Sequence, residues 1–281
     1  MKSHDRKELG EFLRSRRARL APGDVGLPPG QRRRAAGLRR EEVAQLCGLS
    51  VTWYTWIEQG RDISISAAAL DRIATALRLG GEERSYLHSI ANSPRTFQDN
   101  VEPENLPQGL QQLLDHQREL PAYALGRFWD VLGWNRAAAG LFGDFGTWPR
   151  NERNLLRYTF CNPAARKLIV DWDVRARRLV AEFRADCGPY LKDAFLIRFV
   201  ARLEADSPEF IRLWRMRDVV TRAGGIRSFR HPTLGPIEVE QMTFRPTNRP
   251  DIKLVVHLPS GSPGTTKQRR ACGAGARRQR K

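Results

Sequence analysis

Up to residue 91 the apolar positions recur with helical spacing, and the alternation typical of strands begins only at residue 122. Residues 8–20 place Leu9, Phe12, Leu13 and Leu20 on one helical stripe, and residues 66–79 place Leu70, Ile73, Ala74 and Leu77 on another. A further helix over residues 82–91 has Tyr86, Leu87 and Ile90 as its apolar side. Between them, LRREEVAQLCGLSVTWYTWIEQGR (residues 38–61) predicts two short helices joined by a tight turn, making five helices in all. The pattern is that of a small all-α bundle.

The turn region is the most demanding of these patterns. In Arg40–Cys47, Val43, Ala44 and Cys47 share one face, and Ala44 is small where two helices must approach closely. Gly48 can end that helix because it takes the left-handed conformation without a Cβ clash. Ser50 stands where an N-cap belongs, its hydroxyl accepting an otherwise unpaired amide hydrogen. Val51, Tyr54 and Ile57 then recur at helical spacing, so Tyr54 and Ile57 pack inward while Thr52, Thr55, Trp56 and Gln59 point elsewhere. An ordinary helical hairpin is the alternative. Agreement of turn, cap and stripes over this length favours a helix-turn-helix, whose second helix enters the major groove of DNA. Val51, Thr52, Thr55 and Trp56 are then the candidates for base contacts. Arg39, Arg40, Ser50 and Arg61 are the candidates for phosphates, which fix register without reading sequence. Val51 suits thymine methyls or inward packing, and Trp53 and Trp56 suit either the duplex or the protein's own helices. With no Arg, Asn or Lys on this face, specificity leans on DNA shape or methyl contacts.

Charge points the same way. The net charge is +17, and residues 1–40 hold 12 Lys/Arg against 4 Asp/Glu. Residues 267–281 add 7 basic residues and no acid, so the middle of the chain is close to balance. Such a field attracts polyanions, and each neutralised phosphate steepens the salt dependence of binding. Solvated helix faces are the alternative for arginine runs; Arg32, Arg33 and Arg34, in a Pro/Gly-bounded loop beside the motif, argue for DNA.

At 281 residues the chain is long enough for two domains. Residues 93–107, rich in Pro, Asn and acids, read as a linker between a DNA-binding domain over 1–92 and a second domain over 108–263. Residues 264–281 read as a basic disordered tail that adds nonspecific affinity for nucleic acid. In the second domain a short helix over 110–118 precedes AYALGRFWDVLGW, a hairpin pattern about a Gly-Arg turn. Helical patterns follow over 153–160, 164–185, 190–205 and 209–221, and then three strand-like stretches, IRSFRHP, PIEVEQMTFRP and DIKLVVHLP. This predicts an α+β domain with an antiparallel sheet of about five strands and helices packed on one face. Asn135 reads as a helix cap. Phe128, Trp129, Trp134, Phe160, Phe195, Phe199, Phe210 and Trp214 are apolar aromatics able to line a cavity, a fully packed interior being the alternative. Arg230 and His231 suit a ligand carboxylate or a plain polar pair at a strand end.

Particular segments resemble a known family. Residues 38–61 with LGEFLRSRRARL and GLPPGQRRRAAGLRREEVAQLCGLSV resemble the helix-turn-helix of XRE (phage-repressor-like) regulators, in the actinobacterial branch that carries an MmyB-like ligand-binding domain. In the second half LPAYALGRFWDVLGWNRAAAGLFGDF, RNLLRYTFCNPAARKL, SPEFIRLW and FRHPTLG resemble that domain, so the likeness spans roughly residues 8–263. It implies a lambda-repressor-like N-terminal bundle and a PAS-like second domain. It also implies a bacterial regulator responsive to a ligand, such as a small apolar or acyl-chain-like molecule. Two departures stand out: Trp56 occupies a position where a basic or polar residue is usual, and the chain after Pro263 does not resemble the family.

Enzyme chemistry finds no footing. His4, His88, His116, His231 and His257 lack metal-ligand spacing, and no phosphate loop, nucleophile elbow or HExxH pattern occurs. Glu41 and Glu42 fit the start of a helix better than acid–base work. Cys47, Cys161, Cys187 and Cys272 are too dispersed for a disulfide framework or a zinc cluster, although the arginines near Cys272 favour a thiolate. No apolar run resembles a membrane span or signal peptide. The sequence therefore predicts a cytoplasmic, homodimeric transcription factor that binds double-stranded DNA, needs no cofactor or metal and is not an enzyme. The alternatives are a constitutive DNA-binding protein whose second domain only dimerises, and a DNA-tethered enzyme.

Overall fold

The computed structural model describes residues 3–28, 37–91, 105–191, 193–220 and 224–260. Arg32, Arg33, Arg34, most of the expected linker and the basic tail with Cys272 lie outside them. In chain order the elements are α1 (Ser3–Arg19), α2 (Arg40–Cys47), α3 (Val51–Glu58), α4 (Ala67–Ala76), α5 (Gly81–Ala91), α6 (Gln108–His116), β1 (Ala122–Leu125), β2 (Val131–Trp134), α7 (Arg136–Phe142), α8 (Leu155–Cys161), α9 (Pro163–Leu168), α10 (Trp172–Cys187), α11 (Ala194–Asp206), α12 (Pro208–Arg215), β3 (Gly225–His231), β4 (Gly235–Phe244) and β5 (Lys253–Pro259). Two compact units emerge. One holds Met1–Phe97, Arg184–Arg202 and Ile211–Thr221; the other holds Gln98–Phe183, Leu203–Phe210 and Arg222–Lys281.

The five helices predicted for the N-terminal bundle are present in the first unit. Their apolar stripes form its core: Leu9, Phe12 and Leu13 from α1, Val43, Ala44 and Cys47 from α2, Tyr54 and Ile57 from α3, Leu70, Ile73 and Ala74 from α4, and Tyr86, Leu87 and Ile90 from α5 are all buried. Leu20 falls just beyond the end of α1. Gly10 lets α1 cross α3 closely, because a Cβ there would lie 2.3 Å from the carbonyl oxygen of Glu58. The Cys47 thiol is pushed up to about 11 by burial, which suits inert packing.

The same unit contains residues from later in the chain. Glu8 of α1 accepts the Tyr86 hydroxyl at 2.8 Å and pairs with Arg184 at 2.5 Å and with Arg217. Arg184 is fully buried, with its guanidinium carbon 3.7 Å from the Trp214 ring centroid and one N–H donating to the Trp214 carbonyl. Burial alone would raise the Glu8 pKa, but the charges of Arg184 and Arg217 outweigh it and hold the carboxyl below its ordinary range. Ion pairs this dry need every partner in place, because an uncompensated buried charge is costly.

The second unit is built on a five-stranded antiparallel sheet in the order β2-β1-β5-β4-β3. One face carries Tyr123, His257, Gln241, Val239, Arg227 and Phe229, which the register sets side by side. The expectation that helices cover one face needs correcting at β1. That strand is buried on both sides, and Leu110 and Leu114 of α6 pack with Ala122, Ala124 and Leu254 on the reverse face. AYAL offers apolar residues to both faces, so both become covered. The single helix expected over 164–185 is also two. Ile169 and Val170 are extended, Ile169 bridges to Phe229, and the Val170 N–H donates to the Ser228 carbonyl at 3.2 Å. Asp171 then takes φ 51° before α10 begins. Adjacent β-branched residues favour this extra pairing with the sheet edge over continuing the helix.

Candidate nucleic-acid interface and ligand cavity

α2, the turn and α3 adopt the predicted geometry. Gly48 has φ 63°, and the Ser50 hydroxyl accepts the Trp53 N–H at 3.1 Å. Tyr54 and Ile57 are buried, Thr52 and Gln59 are exposed, Val51 is 41% exposed, and Trp53, Thr55 and Trp56 are half-buried. Of the four candidate base-reading residues, Val51 and Thr52 are thus the most open. Arg61 sits over Trp56, its guanidinium carbon 5.6 Å from the ring centroid, and donates to the Gln59 amide oxygen at 3.1 Å.

The candidate phosphate-binding groups have local duties as well. Arg39 is the N-cap residue of α2, and its backbone N–H donates to the Glu42 carboxylate at 2.7 Å. Ser50 spends an oxygen lone pair on its cap, which leaves the hydroxyl proton to donate. Arg40, half-buried, donates through Nε to the carboxylate of Glu58 at 2.7 Å.

Glu58 is the residue that the pattern reading passed over. Its side chain is sealed from solvent at the end of α3, paired with Arg17 of α1 at 2.6 Å and with Arg40 of α2. Burial would raise its pKa, but the hydrogen bonds and charges of Arg17 and Arg40 prevail and hold it below the ordinary carboxylate range. One carboxylate therefore fixes the angle of α3 against two neighbouring helices. A carboxylate directly after Ile57, on the inward side of the helix, was the available signal.

In the second unit a cavity of about 250 Å³ opens between the sheet, the end of α7, α8, the extended segment at 169–171 and α10. Its apolar part is made of rings, with Phe142 in edge contact with Tyr123 at 5.7 Å, Phe229 at 5.4 Å and Tyr158 at 6.2 Å. Its polar part holds Arg175 and Arg178 from α10, Arg227 from β3 and Asp171. Arg178 donates to the sealed Glu182 carboxylate at 2.9 Å, and Arg227 to Gln241 at 3.2 Å. The Tyr158 hydroxyl is buried with no hydrogen-bond partner among the described residues, and burial raises its pKa well above the usual tyrosine value.

None of the ten residues named from sequence for a ligand lies in this lining. Trp129 is fully buried, packed on Phe183 at 5.3 Å with the Lys253 ammonium 5.4 Å from its ring. Phe128 is buried beside Arg127, Trp134 packs on Phe145, and Phe160 packs between Trp172 and Phe210. Phe199 stacks on Phe195, and Trp214 lies under Arg184, both in the first unit. Arg230 is exposed, and His231 bonds to the Gly140 carbonyl at 2.9 Å. The rings that line the cavity are instead Tyr123, Phe142, Tyr158 and Phe229. Arg227, Gln241 and His257 are buried polar residues on the core face of three strands, and that register was invisible until the strands were paired. Asn135 does cap α7, accepting the Ala138 N–H at 2.9 Å.

Residues 106–271 match the family model described as the MmyB-like transcription regulator ligand binding domain. The chain belongs to the MmyB-like transcription regulators. Residues 8–87 of this MmyB-like regulator match a helix-turn-helix domain, the arrangement the resemblance implied. No curated protein matches the chain. The MmyB-like region contains the cavity and also Arg184, Trp214 and Arg217, which lie in the unit that holds the helix-turn-helix. Both domains are those of a transcription regulator with a ligand-binding domain. Among the described residues no helix is long and apolar enough to cross a membrane, and no cluster of His, Cys, Asp or Glu is placed to hold a metal.

Proposed function

We propose that this MmyB-like regulator is a cytoplasmic, non-enzymatic bacterial transcription factor. It binds operator DNA sequence-specifically as a homodimer and responds to a small, mostly apolar molecule held in the second domain. The observation that carries the reading is the anchoring of α3. Buried Glu58 pins the helix through Arg17 and Arg40, while Val51 and Thr52 at its N-terminal end stay open to an incoming groove edge. Arg39, Arg40, Ser50 and Arg61 flank that end and supply phosphate contacts; Thr55 and Trp56 complete the reading face.

Regulation requires the ligand to favour one arrangement of the DNA-binding residues by differential affinity. α10 carries groups suited to both tasks: Arg175 and Arg178 line the cavity, and Arg184 on the same helix pairs with Glu8 of α1. A ligand that draws on Arg178 changes its pairing with Glu182 and so biases the position of α10.

The test is selection of bound fragments from the protein's own genome, followed by titration of the enriched duplex and a scrambled one. Enrichment of a two-fold-related sequence, bound by a dimer, supports the reading. Equal binding of both duplexes overturns it.

A further inference from the structure

The geometry points to Arg61 as a guanine-reading residue, held in place by Trp56 and Gln59; this rests on the reading of α3 as the DNA-contacting helix and moves Arg61 from the phosphate contacts to the base contacts. The backbone at the end of α3 supplies the first reason. Gly60 takes φ 69° and its N–H donates to the Ile57 carbonyl at 3.0 Å, while the Arg61 N–H donates to the Trp56 carbonyl at 3.0 Å. That pair of bonds is the Schellman ending of a helix, which turns the chain back and sets the second residue past the cap against the last turn. Here the apolar contact that often accompanies it is a guanidinium on an indole.

Two contacts then fix where that guanidinium lies. Its carbon is 5.6 Å from the Trp56 ring centroid, and its Nε donates to the Gln59 amide oxygen at 3.1 Å. Trp56 and Gln59 share the outward side of α3 with Thr52 and Thr55, so a positive charge is carried onto a face that its own helix leaves without a cation. About 7.5 Å of helix separates residue 51 from residue 56, roughly two base steps, so one stretch of major groove reaches both. The neighbouring carboxylates are engaged elsewhere, Asp62 with Arg6 at 2.6 Å and Glu58 with Arg17 and Arg40. Arg61 is exposed and has no ion-pair partner among the described residues.

The chemistry left to the side chain is that of a base reader. With Nε bonded to Gln59, the two terminal nitrogens form the remaining fork, and two parallel donors match the O6 and N7 acceptors of guanine in the major groove. Thr52 and Thr55 offer single hydroxyls, which pair with either kind of base. A phosphate contact needs reach and charge but no fixed orientation. A bidentate base contact, in contrast, gains from an arginine whose plane is set before binding. Trp56 and Gln59 are thereby positioning residues: the indole supplies the platform, the amide holds Nε, and the group that reads the base comes from position 61.

The experiment titrates the full chain with the duplex enriched from genomic fragments, each guanine replaced in turn by 7-deazaguanine, which lacks the N7 acceptor but still pairs with cytosine. The unaltered protein is expected to lose about tenfold in affinity at one guanine per half-site, the worth of one hydrogen bond from a charged donor. Arg61→Ala binds the unmodified duplex about tenfold or more weakly and no longer senses that replacement. Trp56→Ala and Gln59→Leu weaken the response at the same guanine, and Trp56→Phe, which keeps a ring for stacking, retains it. A guanine response that survives Arg61→Ala, or a loss in Arg61→Ala that is equal on the enriched and a random duplex, overturns the assignment and returns Arg61 to the phosphates. Absence of any responding guanine also overturns it, and a response untouched in both Trp56→Ala and Gln59→Leu overturns the positioning roles. Equal binding of the enriched and random duplexes by the unaltered protein is the separate result that removes the reading of α3 itself.

Discussion

Thr52 and Glu58 sit on the same short helix and divide its work: Thr52 faces outward, and Glu58 is sealed between Arg17 and Arg40. Replacing Thr52 by Ala is expected to change the ranking of operator sequences by about 1–3 kcal/mol at the affected base pair, measured on a panel of single-base variants. Uniform loss over the panel would exclude a reading role. Glu58→Gln takes the shared carboxylate charge from Arg17 and the part-exposed Arg40 and is expected to cost about 1–3 kcal/mol in denaturant unfolding. For Arg40→Ala the expected result is twofold: a flatter salt dependence, by about one unit of slope, and a lower melting temperature from the lost Glu58 pair. Lys253 is a different residue-scale case. It is 3% exposed, and burial pushes its pKa down from 10.5 to about 7. Between those values the unfolded chain holds the extra proton, so the lysine's contribution makes stability rise as pH increases from 7 to 10.5. Lys253→Met is expected to lose that rise, as read from melting curves across the pH range.

At the scale of elements, what was legible in the sequence was what local rules decide. Gly48, Ser50 and Asn135 announced a turn and two caps because each acts within three residues of itself. The alternating strands were readable for the same reason. The break at Ile169–Asp171 was not, since helical spacing of apolar residues continues across it and only the pairing of Ile169 with Phe229 interrupts the helix. The cavity was illegible for a related cause. Its polar residues come from β3, β4, β5 and α10, distant in sequence, whereas the large rings of Trp129 and Phe160 pack on Phe183 and Trp172. Replacing Val170 by Pro removes the N–H that donates to Ser228 and is expected to loosen the cavity wall, seen as faster amide exchange along β3 with little change in α1–α5.

For the whole molecule, the positive ends of the chain and the composition of the first unit matter together. Glu8 lies in the helix-turn-helix match, whereas Arg184 and Arg217 lie in the MmyB-like match, and all three meet in one buried cluster. The DNA-binding bundle is therefore completed by residues of the ligand-binding region. Glu8→Gln is expected to lower stability by about 3–5 kcal/mol and to weaken the effect of any ligand on DNA affinity more than the affinity itself. The measurement that bears most directly on the reading of α3 is the affinity of the full chain, at about 150 mM salt, for its selected operator and for a random duplex, with and without Thr52→Ala and Thr55→Ala together. The operator should be bound at least about a thousandfold more tightly, and the double substitution should erase most of that gap while leaving random-duplex binding in place. Equal affinity of the unaltered protein for both duplexes, or a gap untouched by the substitutions, would mean that α3 does not read DNA.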